Sequence, residues 1–131
     1  MSYNRIIVSS FGGPEVLKYI QEKELPEPGQ GEVRVKVTAV SACFTDTMVR
    51  KGIYFGMKEK PPFSPGYDLV GVIDKIGPKT SLFKIGDKVA DLTVTGSYTE
   101  YICLPELSLT MVPGGLDDGE AVSMVLSYMT A

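Results

Sequence analysis

Glu32-Val33-Arg34-Val35-Lys36-Val37-Thr38-Ala39 is the run on which the reading of the fold turns. Val33, Val35, Val37 and Ala39 fall at a period of two, with Arg34, Lys36 and Thr38 between them. That alternation defines a half-buried β-strand. Outward from it the chain repeats short strand-like pieces bounded by turn residues. Arg5 to Phe11 meets Gly12-Gly13-Pro14, and Val16 to Leu25 runs up to Pro26-Glu27-Pro28-Gly29. Asp68 to Ile76 is β-branched and closes at Gly77-Pro78, while Gly86-Asp87 turns the chain into Lys88-Val89-Ala90. Ser97 to Leu104 and Ser108 to Val112 read as two more strands. Six or seven short strands with little helix predict a small β-barrel or sandwich.

Two segments break the pattern. Thr45 to Lys51, with an N-cap at Thr45-Asp46 and a stop at Gly52, predicts one or two helical turns. From Asp117, with Glu120 three residues on as a capping-box-like start, Val122, Val125 or Leu126, and Met129 recur at helical spacing. No Gly, Asn or Pro stop precedes Ala131. The expectation is a domain over 1–116 and a linking helix over 117–131 cut short, the polypeptide being an N-terminal piece of something longer. A frayed terminal helix docked on the barrel is the alternative.

Composition narrows the chemistry. The 131 residues suffice for one compact domain, and 44% hydrophobic against 22% charged residues promise a buried core. Sixteen acids against 13 bases leave a net charge of −3, which argues against a nucleic-acid partner. There is no histidine, which excludes Ser-His-Asp and Cys-His hydrolases and removes the commonest metal ligand. Two cysteines, Cys43 and Cys103, assemble neither a disulfide framework nor a four-ligand zinc site. No apolar stretch approaches the ~20 residues that span a bilayer, so no membrane partner and a reducing, cytoplasmic setting are expected.

Phe11-Gly12-Gly13-Pro14-Glu15-Val16-Leu17, Cys43-Phe44-Thr45-Asp46 with Arg50 and Gly52, Pro65 to Val72, Phe83 to Val89, Gly96 to Tyr101 and Met129-Thr130-Ala131 together resemble the medium-chain dehydrogenase/reductase superfamily. The resemblance is closest to its zinc-independent quinone oxidoreductase branch. It implies a GroES-like, partly open β-barrel with short helices, whose C-terminal helix leads into a Rossmann domain binding NADP(H). That second domain is missing from these residues: no G-x-G-x-x-G turn occurs in them. Zinc-dependent relatives carry Cys-His/Arg-Ser/Thr-Asp and then Gly-His-Glu, whereas Phe44 follows Cys43 here and Tyr67-Asp68 stand where the His-Glu would be. The resemblance therefore implies no zinc.

What remains is cofactor-driven reduction of a quinone or an α,β-unsaturated carbonyl, in which the protein must supply a donor to the substrate oxygen. The family positions nominate Thr45, Tyr54 and Tyr67 as that donor, Cys43, Phe44 and Phe55 as apolar pocket residues, and Thr130 as a contact to the nicotinamide end of the cofactor. Each has a plainer reading: Thr45 as a helix cap, Tyr54 packed over Pro61-Pro62, Tyr67 as a barrel residue, Cys43 as a small buried hydrophobe. Asp46 and Arg50 are expected to form an i,i+4 pair. Without its second domain the last helix would expose Val122, Val125, Leu126 and Met129, and a homo-oligomer formed through that helix is expected. A stand-alone, non-catalytic GroES-like binding module is the second reading.

Overall fold

A computed structural model describes residues 2–42, 44–55 and 59–129, with side chains in the last helix described as far as Ser123. Among the described residues the chain forms seven strands: β1 (Tyr3–Val8), β2 (Leu17–Glu22), β3 (Glu32–Ala39), β4 (Asp68–Ile76), β5 (Lys88–Leu92), β6 (Tyr101–Pro105) and β7 (Thr110–Met111). Helix α1 is Phe44–Lys51 and α2 is Asp118–Met129. The strands β1 and β2 form an antiparallel hairpin, and the other five make an antiparallel sheet in the order β6-β3-β4-β5-β7. Residues 97–100 tie the two together. Ile6 donates to the Tyr98 carbonyl at 2.9 Å, Glu100 to that of Asn4 at 3.0 Å, and Val37 to that of Glu100 at 2.8 Å. The result is a mainly β, partly open barrel with short helices, as the family resemblance implies.

The alternation in β3 does what its spacing predicts. Val33 and Val35 are fully buried, and they join Leu69, Ile73, Val89 and Leu109 in the barrel core. On the outer face Arg34 makes a forked pair with Asp74, at 2.9 and 3.2 Å. Strand β4 is buried on both sides. Leu69 and Ile73 point into the core while Val70 meets Ala121 and Val122 of α2, so the strand has no wet face over most of its length. Gly71 lies between these layers because a Cβ there would come within 2.5 Å of both the Lys36 carbonyl oxygen and Val35 Cγ1.

The expected runs over 5–11 and 16–25 form as Tyr3–Val8 and Leu17–Glu22, and two later strands differ more. The expected strand over 97–104 pairs only from Tyr101, its first part being the cross-link described above. The segment expected over 108–112 is reduced to Thr110–Met111 behind a single 3-10 turn, Glu106–Ser108. Pro105, with no N–H to extend the ladder, ends β6. The carboxylate of Glu106, itself buried, turns inward and accepts the Ser81 amide at 3.0 Å.

Helix α2 begins as its sequence predicts, with Asp117 Oδ1 accepting the Glu120 amide at 2.8 Å. The expectation that Val122 is exposed is corrected. Ala121 and Val122 are each 5% exposed, packed on Val70 with Ala39, Ala90, Val112 and Leu116, because β4 presents an outward apolar row that the helix covers. The side chains of Val125, Leu126 and Met129 lie outside the described residues, so that part of the expected surface is not placed. An ion pair from Lys88 on β5 to Asp118, 2.6 Å, fixes the first turn.

Hydrogen bonds from Lys88 and then Thr38 hold the Asp118 carboxyl below the ordinary aspartate range. A depressed carboxylate contributes stability above its unfolded value, and that contribution is lost as pH falls through the folded value. Asp118→Asn is therefore expected to destabilise the protein at neutral pH by under about 1 kcal/mol, because the pair is partly exposed. The difference from the parent should shrink as pH falls below the ordinary aspartate range, in urea melts followed by circular dichroism.

Candidate active site

Helix α1 delivers Tyr54. Its last turn closes as a Schellman motif: Gly52 at φ +77° donates to the Val49 carbonyl at 3.0 Å, and Ile53 to that of Met48 at 3.0 Å. A Cβ on Gly52 would also strike the Phe11 ring at 2.8 Å, so the loop after α1 is pinned against the hairpin. Tyr54 then packs on a small cluster of Val8, Val16, Val49 and Phe63.

Tyr67 stands immediately before β4, 9% exposed. Its hydroxyl lies 2.6 Å from that of Tyr54, with the rings edge to face at 5.9 Å. Two of the three nominated donors thus meet as one hydrogen-bonded pair of phenols. Thr45 lies inside the first turn of α1 rather than ahead of it, which corrects its reading as a cap. By helical spacing it shares a face with the fully buried Val49, against which Tyr54 packs.

The pocket residues are dispersed. Phe44 is 77% exposed and lines a groove on another face of α1, and Phe55 is 97% exposed. Cys43 and Thr130 lie outside the described residues. The Asp46–Arg50 pair is replaced by other contacts: Asp46 Oδ2 accepts the Tyr98 hydroxyl at 2.6 Å, and Arg50 Nε donates to the Gly12 carbonyl at 3.1 Å.

One buried contact was not foreseen. Asp68, fully buried, accepts the Ser41 amide at 3.1 Å and the Ser41 hydroxyl at 2.7 Å. This clamp joins the start of β4, next to Tyr67, to the segment that leads into α1. Tyr98 is the other residue that sequence reasoning left out. Its one signal is Gly66, at φ +115°, where a Cβ would approach the Tyr98 amide nitrogen to 2.7 Å. Cys103 is no nucleophile: burial, followed by the nearby Glu32, pushes its thiol up to about 11.

The Tyr67 hydroxyl is engaged by Tyr54 and the Asp68 carboxylate by Ser41, and no group of three His, Cys, Asp or Glu comes together among the described residues. The paired glycines do not suit a pyrophosphate. Gly12-Gly13 precede only a three-residue 3-10 turn, and a Cβ on Gly13 would meet the Glu15 carboxylate at 2.6 Å. Gly114-Gly115 lead into a helix whose first turn carries Asp118 and Glu120, which repel an anion. No helix among the described residues is long and apolar enough to cross a membrane.

Residues 29–114 match the alcohol dehydrogenase GroES-like domain family. A quinone oxidoreductase from Lama guanicoe is 39% identical over 127 residues, which cover 96% of this chain and 38% of that protein. Among solved structures, the human synaptic vesicle membrane protein VAT-1 homolog-like protein superposes with a TM-score of 0.91 at 27% identity, covering 99% of this chain and 41% of that one. The Escherichia coli quinone oxidoreductase complexed with NADPH gives 0.88 at 26%, covering 97% and 38%. The chain belongs to the alcohol dehydrogenase GroES-like domain family, and the relatives it resembles include quinone oxidoreductases. It spans about two-fifths of the length of these relatives.

Proposed function

We propose that residues 1–116 form the substrate-side wall of the cleft in a zinc-independent, NADPH-dependent oxidoreductase, which reduces quinones or α,β-unsaturated carbonyls in the cytoplasm. Residues 117–131 link this wall to a nucleotide-binding domain. The observation that carries the reading is the Tyr54–Tyr67 hydroxyl pair, a polar point in otherwise apolar packing. The relatives support the cofactor: the Escherichia coli protein was solved with NADPH, and the glycine pairs of this chain offer no seat for it.

Tyr67 is the more buried phenol and Tyr54 the outer one. Tyr67 donates to Tyr54, and Tyr54 donates its own proton outward to the substrate oxygen. The cofactor's contribution, when bound, is a hydride to the electron-poor carbon. As negative charge gathers on the oxygen, the Tyr54 O–H shortens its bond to it, and the Tyr67 O–H steadies the charge then left on Tyr54. Tyr54 regains its proton from water. The Asp68–Ser41 clamp keeps Tyr67 and the α1 segment in register for this. Thr45, and Thr130 at the nicotinamide end, complete the polar contacts. Cys43 and Phe55 are apolar wall, and the exposure of Phe55 suits a wall closed by a second domain, whereas Phe44 faces the groove on the other side of α1 and stands outside that wall.

The purified 131-residue chain is expected to show no oxidation of NADPH with a quinone acceptor, followed at 340 nm. A chimera in which residues 1–131 replace the matched 38% of the Escherichia coli protein is expected to regain it. Turnover by the chain alone, or a chimera that folds and binds NADPH yet turns over no quinone or enone, would overturn the reading.

A further inference from the structure

A groove of about 390 Å³ runs along the face of α1 turned away from Tyr54. Its walls are apolar, formed by Leu17, Ala42, Phe44 and Pro65, and Arg50 is its cation. Arg50 is already held in place. Its Nε donates to the Gly12 carbonyl at 3.1 Å, and its own carbonyl accepts the Gly12 amide at 3.1 Å. Nothing among the described residues accepts from Nη1 or Nη2. Two parallel donors on a fixed guanidinium fit the two oxygens of a carboxylate, and little side-chain freedom remains to be lost on binding.

Asp46 selects among anions. It lines the same groove one helical turn from Arg50, with Oδ2 on the Tyr98 hydroxyl. Its charge opposes a doubly charged phosphate about twice as strongly as a singly charged carboxylate. The volume lies within the range of small-molecule sites, about 300–1,000 Å³.

We propose that this groove binds a small monocarboxylate with an apolar body, Arg50 taking the carboxylate and Leu17, Phe44 and Pro65 the hydrocarbon. The site is separate from the tyrosine pair, and the inference does not rest on the proposed reaction: Tyr54 and Tyr67 do not line the groove.

The test is a two-dimensional NMR titration of the 131-residue chain with 4-phenylbutyrate. Saturable shifts are expected at Leu17, Thr47 and Arg50, with 4-phenylbutyramide and 4-phenylbutyl phosphate each binding at least tenfold more weakly. Arg50→Gln should weaken the carboxylate at least tenfold. Because that change also removes the Gly12 bond, Leu17→Glu provides a second variant. It sits at a 37% exposed position, leaves the Arg50 bond intact, and should weaken binding as much through charge. Equal binding of the amide, parent-like affinity in folded Leu17→Glu, or shifts that gather at Tyr54 and Tyr67 would each overturn the proposal.

Discussion

Tyr54→Phe in the chimera is expected to lower kcat for quinone or enone reduction by about 10²- to 10³-fold, with KM nearly unchanged. The split follows from where the hydroxyl acts. A neutral carbonyl accepts a hydrogen bond weakly, so little ground-state binding is lost. The oxygen at the transition state carries much of a charge, and about 2.7–4 kcal/mol of stabilisation is lost there. The ring keeps its packing on Val8, Val16, Val49 and Phe63, so a folding defect is not the cause. Tyr67→Phe should cost less, about tenfold, because Tyr67 reaches the substrate only by polarising Tyr54 across their 2.6 Å contact. In the double variant the two losses should not add, since the second phenol acts through the first. Steady-state kinetics of the three variants test this order, and a larger loss for Tyr67→Phe than for Tyr54→Phe would reverse the assigned roles.

Gly66→Ala carries the largest expected loss of stability, about 4 kcal/mol. Two causes combine. At φ +115° an L side chain is strained, at roughly 1–3 kcal/mol. The new Cβ would also lie 2.7 Å from the Tyr98 amide nitrogen and 2.8 Å from Ser97 Cβ, and overpacking of this kind costs about 1–3 kcal/mol. Neither neighbour yields easily. Tyr98 donates its amide to the Pro65 carbonyl at 3.0 Å, and Ser97 is fully buried. Thermal melts should show a midpoint about 10–20 °C below the parent. Gly86→Ala is the internal control, with φ +98° but nothing within 4 Å of the added Cβ. It should lose only the backbone part, about 1–3 kcal/mol. Equal losses for the two variants would show that the approach of residues 97 and 98 to Gly66 is not the constraint.

The strands that read cleanly in the sequence are those whose cause is local. Both β3 and β4 match their expected bounds residue for residue, Glu32–Ala39 and Asp68–Ile76, because alternation and β-branching lie within the strands themselves. The shortening of β7 was not legible, since it depends on Glu106 finding backbone amides 25 positions earlier. The same divide runs through the site. Tyr54 and Tyr67 were nominated separately, but no periodicity announces that residues 13 apart meet hydroxyl to hydroxyl. The Ser41–Asp68 and Asp46–Tyr98 bonds span 27 and 52 positions, and for such pairs the fold itself is the only signal. The spacing of α2 was right about helix. It was silent about which partner covers Val122, and the covering surface is the outward row of β4.

The first eight residues look expendable in a polypeptide whose chemistry begins past position 40, and trimming them would be a mistake. Ile6 and Val8 are stitches: their amides secure the carbonyls of Tyr98 and Phe63, at 2.9 and 2.7 Å. Cut that thread and Phe63 loses the neighbour that shields it, the support beneath Tyr54 opens to water, and the hairpin partner β2 is left as a raw edge on which other copies can zip up. A shortened version should therefore precipitate before it loses any contact to a ligand.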